Sequence, residues 1–319
     1  MPKTVIRILI LRRIRSDNRP GALDPKGDLQ VLHCPLCAEE AVLSLYPLKG
    51  FSIVRCRRCG LVFSTLSVDR HKLEHMYSDS YFQTRREYFF QNSTHDVPPS
   101  KEDPNIRNFR HGLSLIDRYG SKGRLLDVGC ALGSFLSLAR KQGWETHGVD
   151  ISRYAASYCR EVLGHDAVDG DLREIQFPDH WFEVVTLWDV LEHFPDPAGQ
   201  LKEVHKILKK DGIVLLDTPN EDGLLRWLAR LFFLASKGRV LYPVRKLYHR
   251  FHLLYFSSET LKTLLEENGF SLIHLEKRCI PQNKGRARPM ERFLLKAFSG
   301  LEKICNKEYE LLAVAKKVG

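Results

Sequence analysis

The stretch Leu125-Leu126-Asp127-Val128-Gly129-Cys130-Ala131-Leu132-Gly133 joins a short apolar run to a turn of small residues. Arg124 to Val128 reads as a buried strand. Gly133 to Lys141 has the apolar spacing of a helix. A strand that empties through small residues into a helix lets backbone approach a ligand and points the helix N-terminus at it. By itself such a turn is weak evidence, because it could cradle several nucleotides. Its spacing, Gly129-x-Ala131-x-Gly133, lacks the register of a dinucleotide-binding turn. Asp127, just before it, suits a cationic ligand better than a pyrophosphate.

The alternation continues outward from this point. Glu145 to Val149 reads as a second strand closed by Asp150, and Ser152 to Leu163 as a helix with Ser152 at its N-cap. Asp166 to Val168 and Phe182 to Leu187 read as the third and fourth strands. Ala198 to Lys209 is helical, with Leu201, Val204, His205 and Leu208 at i, i+3, i+4 and i+7. Asp211-Gly212 then turns into a fifth strand, Ile213 to Asp217. Buried strands alternating with helices predict an α/β, doubly wound Rossmann-like sheet. In such sheets ligands bind beyond the carboxyl ends of the strands, near the switch in strand order. Those ends carry Gly129 to Gly133, then Asp150, whose carboxylate can accept two ribose hydroxyls. They also carry Gly170-Asp171-Leu172 and Trp188-Asp189-Val190-Leu191-Glu192-His193.

Taken with Gly148-Val149-Asp150, Val190 to Pro197 and Asp217-Thr218-Pro219-Asn220, this set resembles class I S-adenosylmethionine-dependent methyltransferases. It is most similar to the subgroup of ubiquinone-biosynthesis and sugar methyltransferases, over roughly residues 105–276. The resemblance implies a seven-stranded methyltransferase sheet and S-adenosylmethionine as cofactor. Gly129, Ala131 and Gly133 would line the methionine part, with Asp127 beside them. Asp150, followed by Ile151, would hold the ribose, and Asp171 with Leu172 would meet the adenine. Trp188 and Asp189 would lie where acceptor and sulfonium meet. The family's middle glycine is Ala131 here, which is expected to tighten the pocket. Glu192 and His193 read either as a general-base pair or as a pair that orders the loop after the fourth strand. His252 resembles an element near the substrate pocket, or a packed core histidine.

A second signal precedes the sheet. Cys34-Pro35-Leu36-Cys37 and Cys56-Arg57-Arg58-Cys59-Gly60 are two C-x-x-C pairs separated by eighteen residues. Four thiolates on two tight turns close a tetrahedral shell around Zn2+, leaving no open position for catalysis. The β-like stretches 41–45 and 51–54 lie between them, so residues 31–65 are expected to form a zinc ribbon with structural Zn2+. Residues 66–104 are expected to be a linker with an aromatic segment (Tyr77, Tyr81, Tyr88, Phe89, Phe90). Residues 105–119 read as a helix leading into the methyltransferase domain, 105–319. After the fifth strand a helix is expected at 257–268, strands at 271–275 and 309–315, and a helix at 291–305.

The net charge of +10 sits at the ends: residues 1–30 carry +4 and residues 276–319 carry +6. The first thirty residues are expected to be a disordered basic tail. Scattered cysteines without a secretion signal point to the cytoplasm. No apolar run approaches the roughly 18 residues that span a bilayer. The insertion 221–250 is apolar and basic, and suggests a lid over the substrate or a helix in peripheral contact with a membrane. The expected partner is a small-molecule methyl acceptor: a sugar, a quinone-like compound or a lipid-linked molecule. Nucleic acid is the rival suggested by the ribbon and the basic ends, against a neutral central domain with no Asn/Asp-Pro-Pro-Tyr motif after the fourth strand. A second rival keeps the fold but only docks to a partner.

Overall fold

The computed structural model describes residues 33–68, 76–77, 79–84, 104–279 and 289–319, with two short strands before them. The chain forms two compact units, 1–32 and 33–319. In the first, β1 (Ala22–Leu23) pairs antiparallel with β2 (Leu29–Gln30). The rest of the expected basic tail lies outside the described residues, as do Tyr88, Phe89 and Phe90.

In the second unit, β6 (Arg124–Val128), β7 (Glu145–Asp150), β8 (Asp166–Asp169), β9 (Phe182–Trp188), β10 (Leu208–Pro219), β12 (Phe270–Arg278) and β13 (Glu310–Lys317) build one sheet in the order β12-β13-β10-β9-β6-β7-β8. All neighbours pair in parallel except those of β13, which runs antiparallel to β10 and β12. This is the seven-stranded Rossmann-like sheet of methyltransferases. The chain winds outward from β6 through β7 to β8, then returns to β9 on the other side of β6. The loops after β6 and β9 therefore diverge, and a crevice opens between them.

The central strands are apolar on both faces because helices cover both. On one face α2 (Pro104–Tyr119) and α3 (Ser134–Lys141) bury Ile106, Leu113, Ile116, Phe135 and Leu138 against Leu125, Val184, Ile213 and Leu215. A Cβ on Gly112 would collide with the indole of Trp188, so only glycine lets α2 lie this close. The helix after β7, α4 (Arg153–Glu161), starts at Ser152, whose hydroxyl accepts the Ala155 N–H. The helix before β10 is α5 (Pro197–Ile207), capped by Asp196.

The fifth strand is longer than its sequence suggests. Asp211-Gly212 reads as the turn that begins it, yet β10 already starts at Leu208. Its register on β9 shifts between Leu208 and Ile213, and Asp211 takes a φ of 64° there. The turn chemistry is spent on an irregularity inside the strand.

The cysteine module is a second sheet. Its own strands are β3 (Val42–Leu48), β4 (Phe51–Cys56) and β5 (Val62–Ser64), all antiparallel. The fourth strand, β11 (Leu254–Tyr255), comes from the far end of the insertion and pairs with β5. The insertion itself forms α6 (Leu224–Ala235) and α7 (Tyr242–Leu247). Ala229, Val244, Tyr248 and Tyr255 share one apolar core with Tyr46, Ile53 and Val62. The module is thus joined to β11 by backbone pairing and to the insertion by packing. The remaining described helices are α1 (Asp79–Thr84), α8 (Ser258–Glu267) and α9 (Pro289–Ile304).

Candidate functional site

The turn after β6 is built for close approach. Gly129 and Gly133 have φ of 75° and 73°, and Ala131 stands between them at 47°. Left-handed backbone is cheap for glycine and costs another residue about 1–2 kcal/mol. The alanine thus sits in a conformation that favours the family's glycine. Gly129 and Cys130 both donate backbone N–H groups to Val149 O, which holds the turn across the end of β7.

Asp150 locks that turn from β7. Its Oδ2 accepts the Ala131 N–H at 2.9 Å, and its Oδ1 accepts the Ser152 N–H at 2.8 Å. Burial raises its pKa to about 6, against the lowering effect of these two bonds. Each carboxylate oxygen keeps a second lone pair for a hydroxyl donor. Ile151 beside it is half-buried. Asp127 is 2% exposed and accepts the Thr186 hydroxyl at 2.6 Å. Burial, together with the charge of Asp150, pushes its pKa to about 8. In the free protein Asp127 is therefore mostly protonated at neutral pH, and an arriving cation would draw out its charge.

Asp171 follows β8. Burial acts to raise its pKa, but bonds from Arg173 and Gln200 prevail and hold it below the usual carboxylate range. Leu172 beside it is buried. Trp188 points into the core, edge-on to Phe109 at 5.0 Å and tilted on Phe135 at 5.2 Å. Its ring is packing material for α2, which sequence reasoning placed at the meeting point of cofactor and acceptor.

Across the crevice lies the segment after β9. Asp189 is solvent-accessible and left-handed, with φ of 52°. Glu192 is 1% exposed, and its Oε2 accepts the Thr218 hydroxyl at 3.0 Å. Burial pushes its pKa up to about 8. His193 behaves oppositely. Its Nδ1 lies 2.6 Å from the Phe251 carbonyl oxygen and 3.1 Å from the Tyr77 hydroxyl. A carbonyl only accepts, so Nδ1 carries the hydrogen. Burial lowers the pKa of His193 to about 4, which keeps it neutral. His252 stands edge-on to His193 at 4.7 Å. Leu253 donates its N–H to Glu192 O, so the end of the insertion closes directly on this segment.

Two parts of the site were not read from the sequence as such. Phe82 and Tyr81, with Tyr77, pack with Leu132, Ala131, Tyr154 and Tyr158. The aromatic segment read as a linker thus covers the turn after β6; its density of aromatic residues was the available signal. Thr218 is legible in the sequence as part of the Asp217 to Asn220 motif, but nothing there names Glu192 as its partner.

The four cysteines converge. Cys34 and Cys59 Sγ lie 3.5 Å apart, as do Cys37 and Cys56, and all four sulfurs fall within 4.8 Å of one another. A tetrahedral zinc with bonds of about 2.3 Å separates its sulfurs by about 3.8 Å. Gly60, after the second pair, has φ of 81°, as its turn requires. The donor set and spacing fit Zn2+.

Residues 82–275 match the family described as "Methyltransferase domain". A ubiquinone biosynthesis O-methyltransferase of Pseudomonas paraeruginosa is 32% identical over 114 residues, 33% of this chain and 49% of that protein. One from Neisseria meningitidis serogroup A is 32% identical over 107 residues, 31% of this chain and 45% of that protein. The chain spans about half the length of these curated relatives. Among solved structures, a SAM dependent methyltransferase from Archaeoglobus fulgidus has a TM-score of 0.50 at 21% identity, over 75% of this chain and 100% of that one. The [4+2]-cyclase SpnF has a TM-score of 0.52 at 17% identity, over 79% and 98%. At these identities the likeness is one of fold, and a fold hosts more than one reaction.

Proposed function

This chain belongs to the methyltransferase-domain family, and from that premise we propose that it transfers a methyl group from S-adenosylmethionine to a hydroxyl of a small-molecule acceptor. S-adenosylmethionine, when bound, supplies the electrophilic methyl group. Gly129, Ala131 and Gly133 would take its amino acid part, Asp150 its ribose, and Asp171 with Leu172 its adenine. Asp127 would balance positive charge near the turn. The aromatic cover of Phe82 and Tyr81 would exclude water, which strengthens every polar contact inside.

The observation that carries the hydroxyl assignment is His193. Its ring is oriented by Phe251 O, and burial keeps it neutral. A hydroxyl acceptor must shed a proton as it is methylated, and a neutral imidazole held in one orientation can receive it. Glu192, bonded to Thr218, would order the segment that carries His193. Sugars, quinone-like phenols and lipid-linked alcohols all present such a hydroxyl. The same reading gives the four cysteines a structural Zn2+ that supplies folding energy to the module.

The test is transfer of labelled methyl from S-adenosylmethionine to a panel of sugars, phenols, lipid-linked alcohols and RNA, run beside calorimetric titration of the cofactor. Cofactor binding with label on a hydroxyl acceptor supports the proposal. Label on RNA alone would move the acceptor to nucleic acid, and failure to bind the cofactor would leave a non-catalytic binder.

A further inference from the structure

We propose that the outer face of α6, with the basic segment that follows it, docks this protein onto an anionic lipid bilayer. The helix is mostly apolar, and its two arginines, Arg226 and Arg230, lie on one side. Its inner side buries Ala229 in the core shared with the cysteine module, and Arg226 beside the rings of Tyr248 and Tyr255. Arg226 is 3% exposed and spends one N–H on Asn220 O. The outer side carries Trp227 (48% exposed), Leu231 (44%) and Leu234 (44%), at i, i+4 and i+7, with Phe232 (57%) beside them. A helix on the surface of a water-soluble domain ordinarily turns charged residues outward. Here the outward arc is Trp, Leu and Phe, and Tyr242 at the start of α7 is 71% exposed.

The charge pattern names the occupant. From Gly223 to Ser258 there are seven Lys/Arg and no Asp/Glu. With Arg226 buried, six cations remain around the apolar arc: Arg230, Lys237, Arg239, Arg245, Lys246 and Arg250. Exposed aromatic and aliphatic residues ringed by cations are the chemistry of a helix lying in the headgroup region of an anionic membrane. A second copy of this chain is disfavoured as occupant, because it would bring the same six cations to the interface. The helix does not cross: no helix of the described residues is long and apolar enough to do so. Twelve residues span about 18 Å, against about 30 Å of hydrocarbon.

The docking segment is tied to the crevice at both ends. It leaves the sheet just after Asn220, whose carbonyl accepts from Arg226, and returns where Phe251 O meets His193 and Leu253 N meets Glu192 O.

The experiment is co-sedimentation of the full chain with vesicles of phosphatidylglycerol and phosphatidylcholine, against vesicles of phosphatidylcholine alone, at low and high salt. Binding to the anionic vesicles, weakened by salt, is expected. Trp227→Ser with Phe232→Ser should abolish it while circular dichroism and cofactor affinity stay unchanged, since both side chains are exposed. Arg245→Gln with Lys246→Gln should weaken it by at least about tenfold, each cation being worth about fivefold near an anionic surface. Absence of vesicle binding, or equal binding to neutral vesicles, would overturn the proposal. So would a self-associating chain in sedimentation velocity that becomes monomeric in the Trp227→Ser, Phe232→Ser variant.

Discussion

Replacing Asp150 with alanine removes a side chain that hydrogen-bonds both the turn after β6 and the start of α4. The ionised carboxyl makes two hydrogen bonds to backbone amides, Ala131 and Ser152, each worth about 1.5–3 kcal/mol. Against that, burial lifts its pKa from 3.8 to about 6, which costs about 3 kcal/mol at neutral pH. That value is already net of the two bonds, so burial of the charge outweighs them. What alanine adds is two amides without an acceptor, so the free protein should lose about 1–3 kcal/mol. Loss of the ribose contact should weaken S-adenosylmethionine by tenfold or more, about 1.4 kcal/mol. Thermal unfolding with and without cofactor separates these effects. At a hundred times the Kd, cofactor stabilises the wild type by about 2.7 kcal/mol, and a tenfold weaker Kd leaves about 1.4 kcal/mol at the same concentration. A pH series adds a signature. In the wild type the carboxylate accepts ribose hydroxyls only while ionised, so affinity should fall as pH drops through about 6. In Asp150→Ala that pH dependence should vanish. An unchanged Kd in the variant, or a wild-type Kd flat between pH 7 and pH 5, would refute the ribose role.

Four further outcomes follow from the structure. His193→Gln should cut turnover by about a hundredfold with cofactor affinity preserved, and the wild-type rate at saturating cofactor should persist at pH 5.5, because burial lowers His193 to about 4; an acidic limb at the ordinary histidine value under saturation would contradict this. His165 is also lowered to about 4 by burial. The stability these two histidines contribute is full above about pH 6.5 and lost as pH falls through 4, which acid unfolding monitored by circular dichroism will show. Cys34→Ser should lose bound zinc by metal analysis and lower the melting temperature, whereas a wild-type chain purified without stoichiometric metal would rule the site out. Ala131→Gly should be neutral or stabilising by up to about 1 kcal/mol, since relief of the left-handed alanine outweighs the entropy of glycine. Ala131→Val should cost about 1–3 kcal/mol in chemical denaturation.

Some of this molecule is determined by its sequence alone. The turn from Gly129 to Gly133, the N-cap at Ser152 and the paired C-x-x-C motifs are local chemistry. Each is written in residues a few positions apart, and each has the form its spacing dictates. The alternation of apolar runs likewise reports the sheet, because only strands buried on both faces read that way. The limits of the β10 strand were less legible, because Asp211-Gly212 has the same residues whether it starts a strand or kinks one.

Other features depend on partners far away in the chain, where periodicity carries no information. Nothing in Leu254-Tyr255 says that it completes the sheet of a module two hundred residues earlier. Nothing near Tyr77 names His193, 116 positions away. Trp188 lies at a strand end, where sequence logic expects ligand contact, and only the arrival of Gly112 decides that its ring packs inward. The sharpest case is α6. Its two arginines, Arg226 and Arg230, lie on one side, so amphipathicity would turn that side to water, yet Arg226 is buried. The cysteine module buries one side and leaves Trp227, Leu231 and Phe232 in solvent. Sequence determines which residues are apolar; the tertiary structure decides which of them find cover, because burial is a property of the neighbours a fold supplies.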